Sequence, residues 1–196
     1  KSGNKEAIAH TMYTLGNLNQ DQGNYKTAIN LYNQSLKVSK ELENKNGIAQ
    51  VLHSLGMLYQ RQGNIEESIE HYGQSVEIYR ELGNKSGIAH TLNYLGKIHF
   101  HQGNCTEAIK LYRESLEISK DLEDKTEIAL TLRHIGEVYH LQGDYKEAIN
   151  LYNQSLKLEK EMGNKNGIAV VSRALGNVHL DQRNYEEAIK EYNQSL

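Results

Sequence analysis

Nine histidines, thirteen tyrosines and a single cysteine are the side chains of this 196-residue chain best suited to metal binding, nucleophilic attack or stacking. A metal site on one helix needs ligands one turn apart, at i and i+4. His99 and His101 are two apart and face different ways, and no histidine pair has the one-turn spacing. His101 and His140 could meet only across separate helices, with no cysteine or carboxylate cluster beside them, so neither metal nor cofactor is expected. Cys105 stands at a predicted helix start, where the helix N-terminus could lower its thiol pKa; a small packed residue is the reading preferred. Tyr32, Tyr72, Tyr112, Tyr152 and Tyr192 form a regular ladder that could stack bases, but each sits at the same predicted buried position, which assigns them to a core. No Gly-rich phosphate loop follows a strand, and no nucleophile is paired with a base and an orienting acid. Catalysis is therefore not expected. The sequons beginning at Asn33, Asn104, Asn153 and Asn193 are read as a by-product of internal repetition, since three of them recur at one helical position.

Hydrophobic residues make up 38% of the chain, with no proline, no tryptophan and one phenylalanine, which implies a thin, elongated core. Twenty-two Lys and Arg against twenty-five Asp and Glu leave a net charge of -3, with no sequence-wide attraction for nucleic acid or an anionic membrane. No apolar run approaches a membrane span and no signal-peptide pattern opens the chain. With one cysteine, these features point to the cytoplasm.

The elements that position these residues recur with a period of 40, without insertion or deletion. Gly16, Gly56, Gly96, Gly136 and Gly176 mark the register, as do Ile8, Ile48, Ile88, Ile128 and Ile168. Ile8, Met12 and Leu15 follow a helical period and predict a helix A from about Lys5 to Gln22, ended by Gly23 in the left-handed conformation. A helix B follows, with Tyr25, Ala28, Ile29, Tyr32 and Leu36 as its buried stripe. Asn64 with Glu67, Asn104 with Glu107, Asp144 with Glu147 and Asn184 with Glu187 have capping-box spacing at its start. Connections of about two residues predict antiparallel pairs that stack on their neighbours. Small residues at Gly16 and Ala28 and their equivalents are expected where the helices approach closely. The copies span residues 4–43, 44–83, 84–123, 124–163 and 164–196, one array over 1–196. Lys1 to Asn4 align with Glu81 to Asn84 and Leu196 with Leu36, so a piece of a longer array is expected.

Leu15-Gly16, Gly23-Asn24-Tyr25, Ala28 and Tyr32, repeated five times, resemble the tetratricopeptide repeat signature over essentially the whole chain. The usual tryptophan is replaced by Met12, Leu52, Leu92, Leu132 and Ser172, and the proline closing helix B by Lys40, Arg80, Lys120 and Lys160. The missing proline lengthens helix B, and the result is similar to the long repeats of kinesin light chains, Leu-Gly-Asn-type G-protein regulators and some signalling ATPases. The resemblance implies an all-α, right-handed α-solenoid of about ten antiparallel helices whose helix-A face lines a concave groove holding a protein or peptide.

On that face the copies differ: His10, Tyr13, Asn17, Gln20, Asp21; Gln50, His53, Met57, Gln60, Arg61; His90, Asn93, Lys97, Phe100, His101; Leu130, Arg133, Glu137, His140, Leu141; and Val170, Arg173, Asn177, Leu180, Asp181. Asn17, Asn93 and Asn177 could pair with a ligand's backbone, and Arg61, Lys97, Arg133 and Arg173 could receive acidic groups. Met57, Phe100 and Leu141 could hold an apolar anchor. Because Arg61, Lys97 and Arg133 outnumber Glu137 in the middle copies, an acidic-hydrophobic peptide is the expected ligand, with Asn93 and Lys97 both off the packed stripe. The two-carboxylate clamp of chaperone-tail-binding repeats is not matched by any three consecutive copies. A binding scaffold is the leading reading; a sensor array attached to an ATPase or other effector, and an array that stacks head to tail with itself, are the alternatives.

Overall fold

A computed structural model of the chain describes residues 2–195. Among these are ten helices and no strand: α1 (Ser2–Asp21), α2 (Tyr25–Glu41), α3 (Lys45–Gln62), α4 (Ile65–Glu81), α5 (Lys85–His101), α6 (Cys105–Asp121), α7 (Lys125–Leu141), α8 (Tyr145–Glu161), α9 (Lys165–Asp181) and α10 (Tyr185–Gln194). Odd-numbered helices are the predicted helices A and even-numbered ones the helices B. None is long and apolar enough to cross a membrane. The chain divides into two compact units, Lys1–Ile98 and His99–Leu196. In the first, α1 packs on α2, α2 on α3 and α3 on α4, and α1 also touches α3. In the second, the same order runs from α6 to α10, with α7 touching α9.

Three residues join successive helices, one more than expected, except that two join α3 to α4; all nine joints contain a residue with positive φ. Six of these are glycines; the others are Glu43, Glu123 and Arg183, with φ of 52°, 55° and 62°. Each joint closes the preceding helix with a Schellman pair of bonds: Gly23 N–H donates to the Gln20 carbonyl at 3.0 Å and Asn24 N–H to the Asn19 carbonyl at 2.8 Å. The expected capping boxes are largely corrected. Asn64, Asn104 and Asn184 make no side-chain cap bond, and only Asp144 of the four accepts from the amide of its partner position. The capping residues belong instead to helix A, where Asn44, Asn84, Asp124 and Asn164 accept from Gly47, Gly87, Glu127 and Gly167 N–H at 3.0 to 3.2 Å. Asn44, Asp124 and Asn164 have ψ of 82° to 90°, against 61° to 78° at the three asparagines that fail to cap. Asp144 caps at a ψ of 71°, inside the second range, so ψ alone does not decide which residues cap.

Tyr32, Tyr72, Tyr112 and Tyr152 are fully buried, as the repeat pattern predicts. The glycines of helix A make room for these rings. A Cβ on Gly16 would stand 2.5 Å from Tyr32 Cε1, and one on Gly56 or Gly136 would stand 2.8 Å from Tyr72 or Tyr152. Beside Tyr32, Tyr72 and Tyr152 a helix-B serine donates to a helix-A carbonyl: Ser35 to Ala9 at 2.8 Å, Ser75 to Ala49 at 2.9 Å and Ser155 to Ala129 at 2.7 Å. The serines of the sequons at Asn33 and Asn153 are thus buried structural donors. Cys105 is half-buried and packs on the cluster of Ala108 and Tyr112, as a small core residue would. Lys5–Glu41, Lys45–Glu81 and Lys125–Glu161 pair the start of helix A with the end of helix B at 2.8 to 2.9 Å. These pairs are exposed and contribute about 0–1 kcal/mol each. On α1 the apolar stripe is uncovered, with Leu15 43% exposed where Leu55 is 1% exposed.

Three outcomes follow from this packing. Gly56→Ala drives a methyl into the Tyr72 ring and should lower stability by about 1–3 kcal/mol. Gly73→Ala, a helix-interior site with nothing within 4 Å, should raise it by about 0.5–1 kcal/mol; denaturant melts of the two variants check the contrast. Arg183→Gly relieves a left-handed non-glycine and should slow hydrogen exchange in α10, with a gain of about 1 kcal/mol. Burial, reinforced by Tyr13, raises the Tyr32 and Tyr79 phenols to about 12, against about 10 in an unfolded chain. Their contribution to stability is complete below the unfolded value and is lost as pH rises toward the folded one. Alkaline unfolding followed by circular dichroism should therefore fall between about pH 10 and 12, with tyrosinate absorbance appearing together with unfolding.

Candidate peptide-binding face

The variable helix-A positions divide into those the fold uses and those it leaves outward. Asn17 belongs to the first group, since its Oδ1 accepts from the Tyr32 hydroxyl at 2.7 Å, and Asn177 does the same for Tyr192 at 2.8 Å. Gln20, which is buried, lies 3.1 Å from the Tyr32 hydroxyl and donates to Met57 Sδ at 3.7 Å. Met57 replaces the asparagine in the next copy, and there the Tyr72 hydroxyl has no partner. The position that follows the register glycine thus sits directly above the core phenol.

Asn93 requires a correction. It is 2% exposed, so of the Asn93 and Lys97 pair only Lys97 stands off the packed surface. The equivalent Tyr13, His53 and Arg133 are half-buried, because their longer side chains reach out of the seam between helices while an asparagine ends inside it.

In the first unit, His53 is the centre of a ring cluster. Its ring centroid lies 5.2 Å from Tyr72, 5.2 Å from His90 and 5.1 Å from Tyr94, and His90 and Tyr94 are themselves 5.1 Å apart. His53 Nδ1 is 3.0 Å from Thr91 Oγ1, and the Thr91 hydroxyl donates to the Gly87 carbonyl at 2.8 Å. The imidazole must therefore carry its proton on Nδ1. Tyr13 accepts from Ser54 Oγ at 3.3 Å. His10, His90, Arg61 and Lys97 are exposed. Tyr94 is not among the positions that the sequence singles out, although its place in the repeat varies as freely, through Thr14, Ser54, His134 and Ala174.

In the second unit the charges pair with one another. Arg133 Nη1 donates to Glu137 Oε1 one turn on, so this arginine is not the open receptor for an acidic group that the sequence implies. His140 Nε2 is 2.7 Å from Asp181 Oδ2, the partner that α9 provides for it in place of His101. Phe100, Glu137, His140, Leu141, Tyr145 and Asp181 line a surface pocket of about 420 Å³, with Leu141 65% exposed at its edge. Arg173 and His101 are exposed. On helix B, Lys110 pairs with Glu107 at 3.0 Å and Arg113 donates to the Tyr139 hydroxyl at 3.1 Å. Among the described residues no group of three or more His, Cys, Asp or Glu could hold a metal ion.

This architecture has many structural counterparts. Over 97% of its length the chain superposes on BtubC (BKLC) from P. vanneervenii, with a TM-score of 0.87, 20% identity and 79% of that chain covered. A STAND signal-transduction ATPase with a tetratricopeptide repeat sensor, from Pyrococcus horikoshii, matches 95% of this chain with a TM-score of 0.85 and 20% identity, but only 28% of its own length is covered. A putative kinesin light chain with nearly identical TPR-like repeats, from Podosopora anserina, gives 0.77 at 16% identity, over 97% of this chain and 94% of that one. At such identities the likeness is one of fold, an all-α solenoid of helical hairpins. No curated protein matches the sequence. The family model described as tetratricopeptide repeat matches residues 7–81, 87–161 and 127–196; with its glycine-tyrosine packing repeated from copy to copy, the chain belongs to the tetratricopeptide repeat family.

Proposed function

We propose that this protein is a peptide- or protein-binding scaffold that engages its partner through the helix-A face and performs no catalysis. The observation that carries the reading is the division of labour within each repeat. Positions such as Gly56, Tyr72 and Ser75 are committed to packing, while the outward helix-A positions change chemistry from copy to copy. In the first unit the His53, His90 and Tyr94 rings lie on the same helices as the exposed Arg61 and Lys97. That combination suits an acidic-hydrophobic peptide, with the rings taking apolar groups and the cations taking carboxylates. In the second unit, Phe100 and Leu141 offer a further apolar anchor.

A sensor role is the second reading, favoured by the likeness to the STAND protein's tetratricopeptide repeat sensor. A Rap protein of similar fold, solved in complex with Competence and Sporulation Factor, matches with a TM-score of 0.82 at 18% identity, with 53% of its length covered. In that reading the same face receives the signal and a domain outside this sequence responds. Stacking of copies end to end through the exposed apolar faces of α1 and α10 is a third, concentration-dependent mode of association.

Arg61→Ala combined with Lys97→Ala should weaken binding of acidic-hydrophobic peptides by up to about thirtyfold, since exposed charges contribute about 0–1 kcal/mol each. Helix content and melting temperature should stay unchanged, and added salt should reproduce part of the loss. Fluorescence anisotropy with a labelled peptide library measures this. Binding that survives the double change and disappears on replacing Lys110 and Arg113 would place the site on helix B instead.

A further inference from the structure

Where one repeat meets the next, the residue five before the asparagine or aspartate cap packs over the third residue of the following helix A. In the second copy, Tyr79 lies on Gly87, and a Cβ on that glycine would stand 2.7 Å from the ring. In the fourth copy, a Cβ on Gly167 would fall on the buried Glu159 carboxylate, which accepts from Asn164 Nδ2 at 2.8 Å. In the third, helix B carries the small Ser119 and the following helix A carries Glu127 in place of glycine. Each of these junctions has one large partner. The first junction has none, because Ser39 faces Gly47. A cleft of about 70 Å³ remains there, between α1, α2 and α3.

We propose that this cleft receives a carboxylate side chain of the bound partner, which takes the place that the Glu159 carboxylate holds in the fourth copy. The inference rests on the helix-A face being the binding face, because Tyr13 and His10 of that face line the cleft. The donors are already arranged. Asn44 Oδ1 accepts from Gly47 N–H at 3.0 Å, as Asn164 Oδ1 accepts from Gly167 N–H at 3.2 Å, so the two cap amides have the same orientation. In the fourth copy the remaining amide N–H₂ binds Glu159; in the first, Asn44 Nδ2 and Ser39 Oγ stand 3.0 and 3.1 Å from where a Gly47 Cβ would be. A carboxylate entering the cleft therefore meets an amide donor and a hydroxyl donor. A cavity that encloses benzene measures about 150 Å³, so an aromatic ring is too large to be enclosed here and a carboxylate is the better fit. Glu6 also lines the cleft and its negative charge opposes the entering carboxylate, so binding there rests on the amide and hydroxyl donors.

The test uses propionate, the end of a glutamate side chain, titrated into the full chain and followed by backbone and side-chain amide NMR. Saturable shifts of the Asn44 side-chain amide and of Gly47 are expected in the wild type and in the variant with Arg61 and Lys97 replaced by alanine. Ser39→Glu, which supplies an internal carboxylate as Glu159 does, should weaken propionate binding at least about tenfold. Ser39→Tyr, which copies the Tyr79 arrangement, should do the same and provides a second variant if the first fails to fold. Absence of shifts in the wild type, shifts that persist in both Ser39 variants, or a response to p-cresol in place of propionate would each overturn the assignment. If propionate fails while acidic peptides still depend on Arg61 and Lys97, the cleft is wrong and the binding face stands; if neither dependence appears, both are wrong.

Discussion

In the first, second, fourth and fifth repeats the distance between the two helices is set by one contact, a tyrosine ring lying on a glycine. Helix axes pack 8–10 Å apart according to the side chains between them, and here a flat ring meets bare backbone. The glycine forfeits helix propensity of about 1 kcal/mol, which the burial of a whole tyrosine offsets. The serine-to-carbonyl bond beside the ring forms at this separation. The phenol oxygen then emerges under the helix-A face, where Asn17 or Asn177 receives it. Core and candidate binding face are thus joined through one side chain.

Much of this can be read from the residues because repetition supplies its own comparison. Glycine in four copies makes Arg183 conspicuous as a forced left-handed residue. Glu43 and Glu123 do the same work less conspicuously, since the position alternates between Gly3, Gly83 and Gly163 and these two glutamates. Spacing assigns the capping residues to the wrong helix for a related reason. An asparagine followed by glutamate three residues later has the right spelling at helix B, but Asn64, Asn104 and Asn184 make no side-chain cap bond there. At helix A the cap is followed by glycine, or by Glu127, so the same residue type reads as a chain break.

The candidate face is legible as a set of positions and less so as a set of available groups. Arg133 and Glu137 are one turn apart on a single helix, and that spacing alone announces an ion pair. The bond from Tyr32 to Asn17 spans fifteen residues and depends on how deeply the ring is seated, which periodicity does not convey. Burial of Asn93 depends on the reach of a side chain from a seam. Periodicity assigns it the same direction as Arg133 and says nothing about length.

The joints between helices have a consequence for how such a chain can change over time. Every one is short and carries its own left-handed residue and Schellman bonds. A unit of forty residues is therefore closed in its local geometry at both ends. Unequal recombination within the coding sequence could add or remove one unit and leave each surviving joint intact. Copy number becomes a quantity that can drift separately from recognition, and the chemistry of the outward positions can diverge afterwards in a unit that already folds.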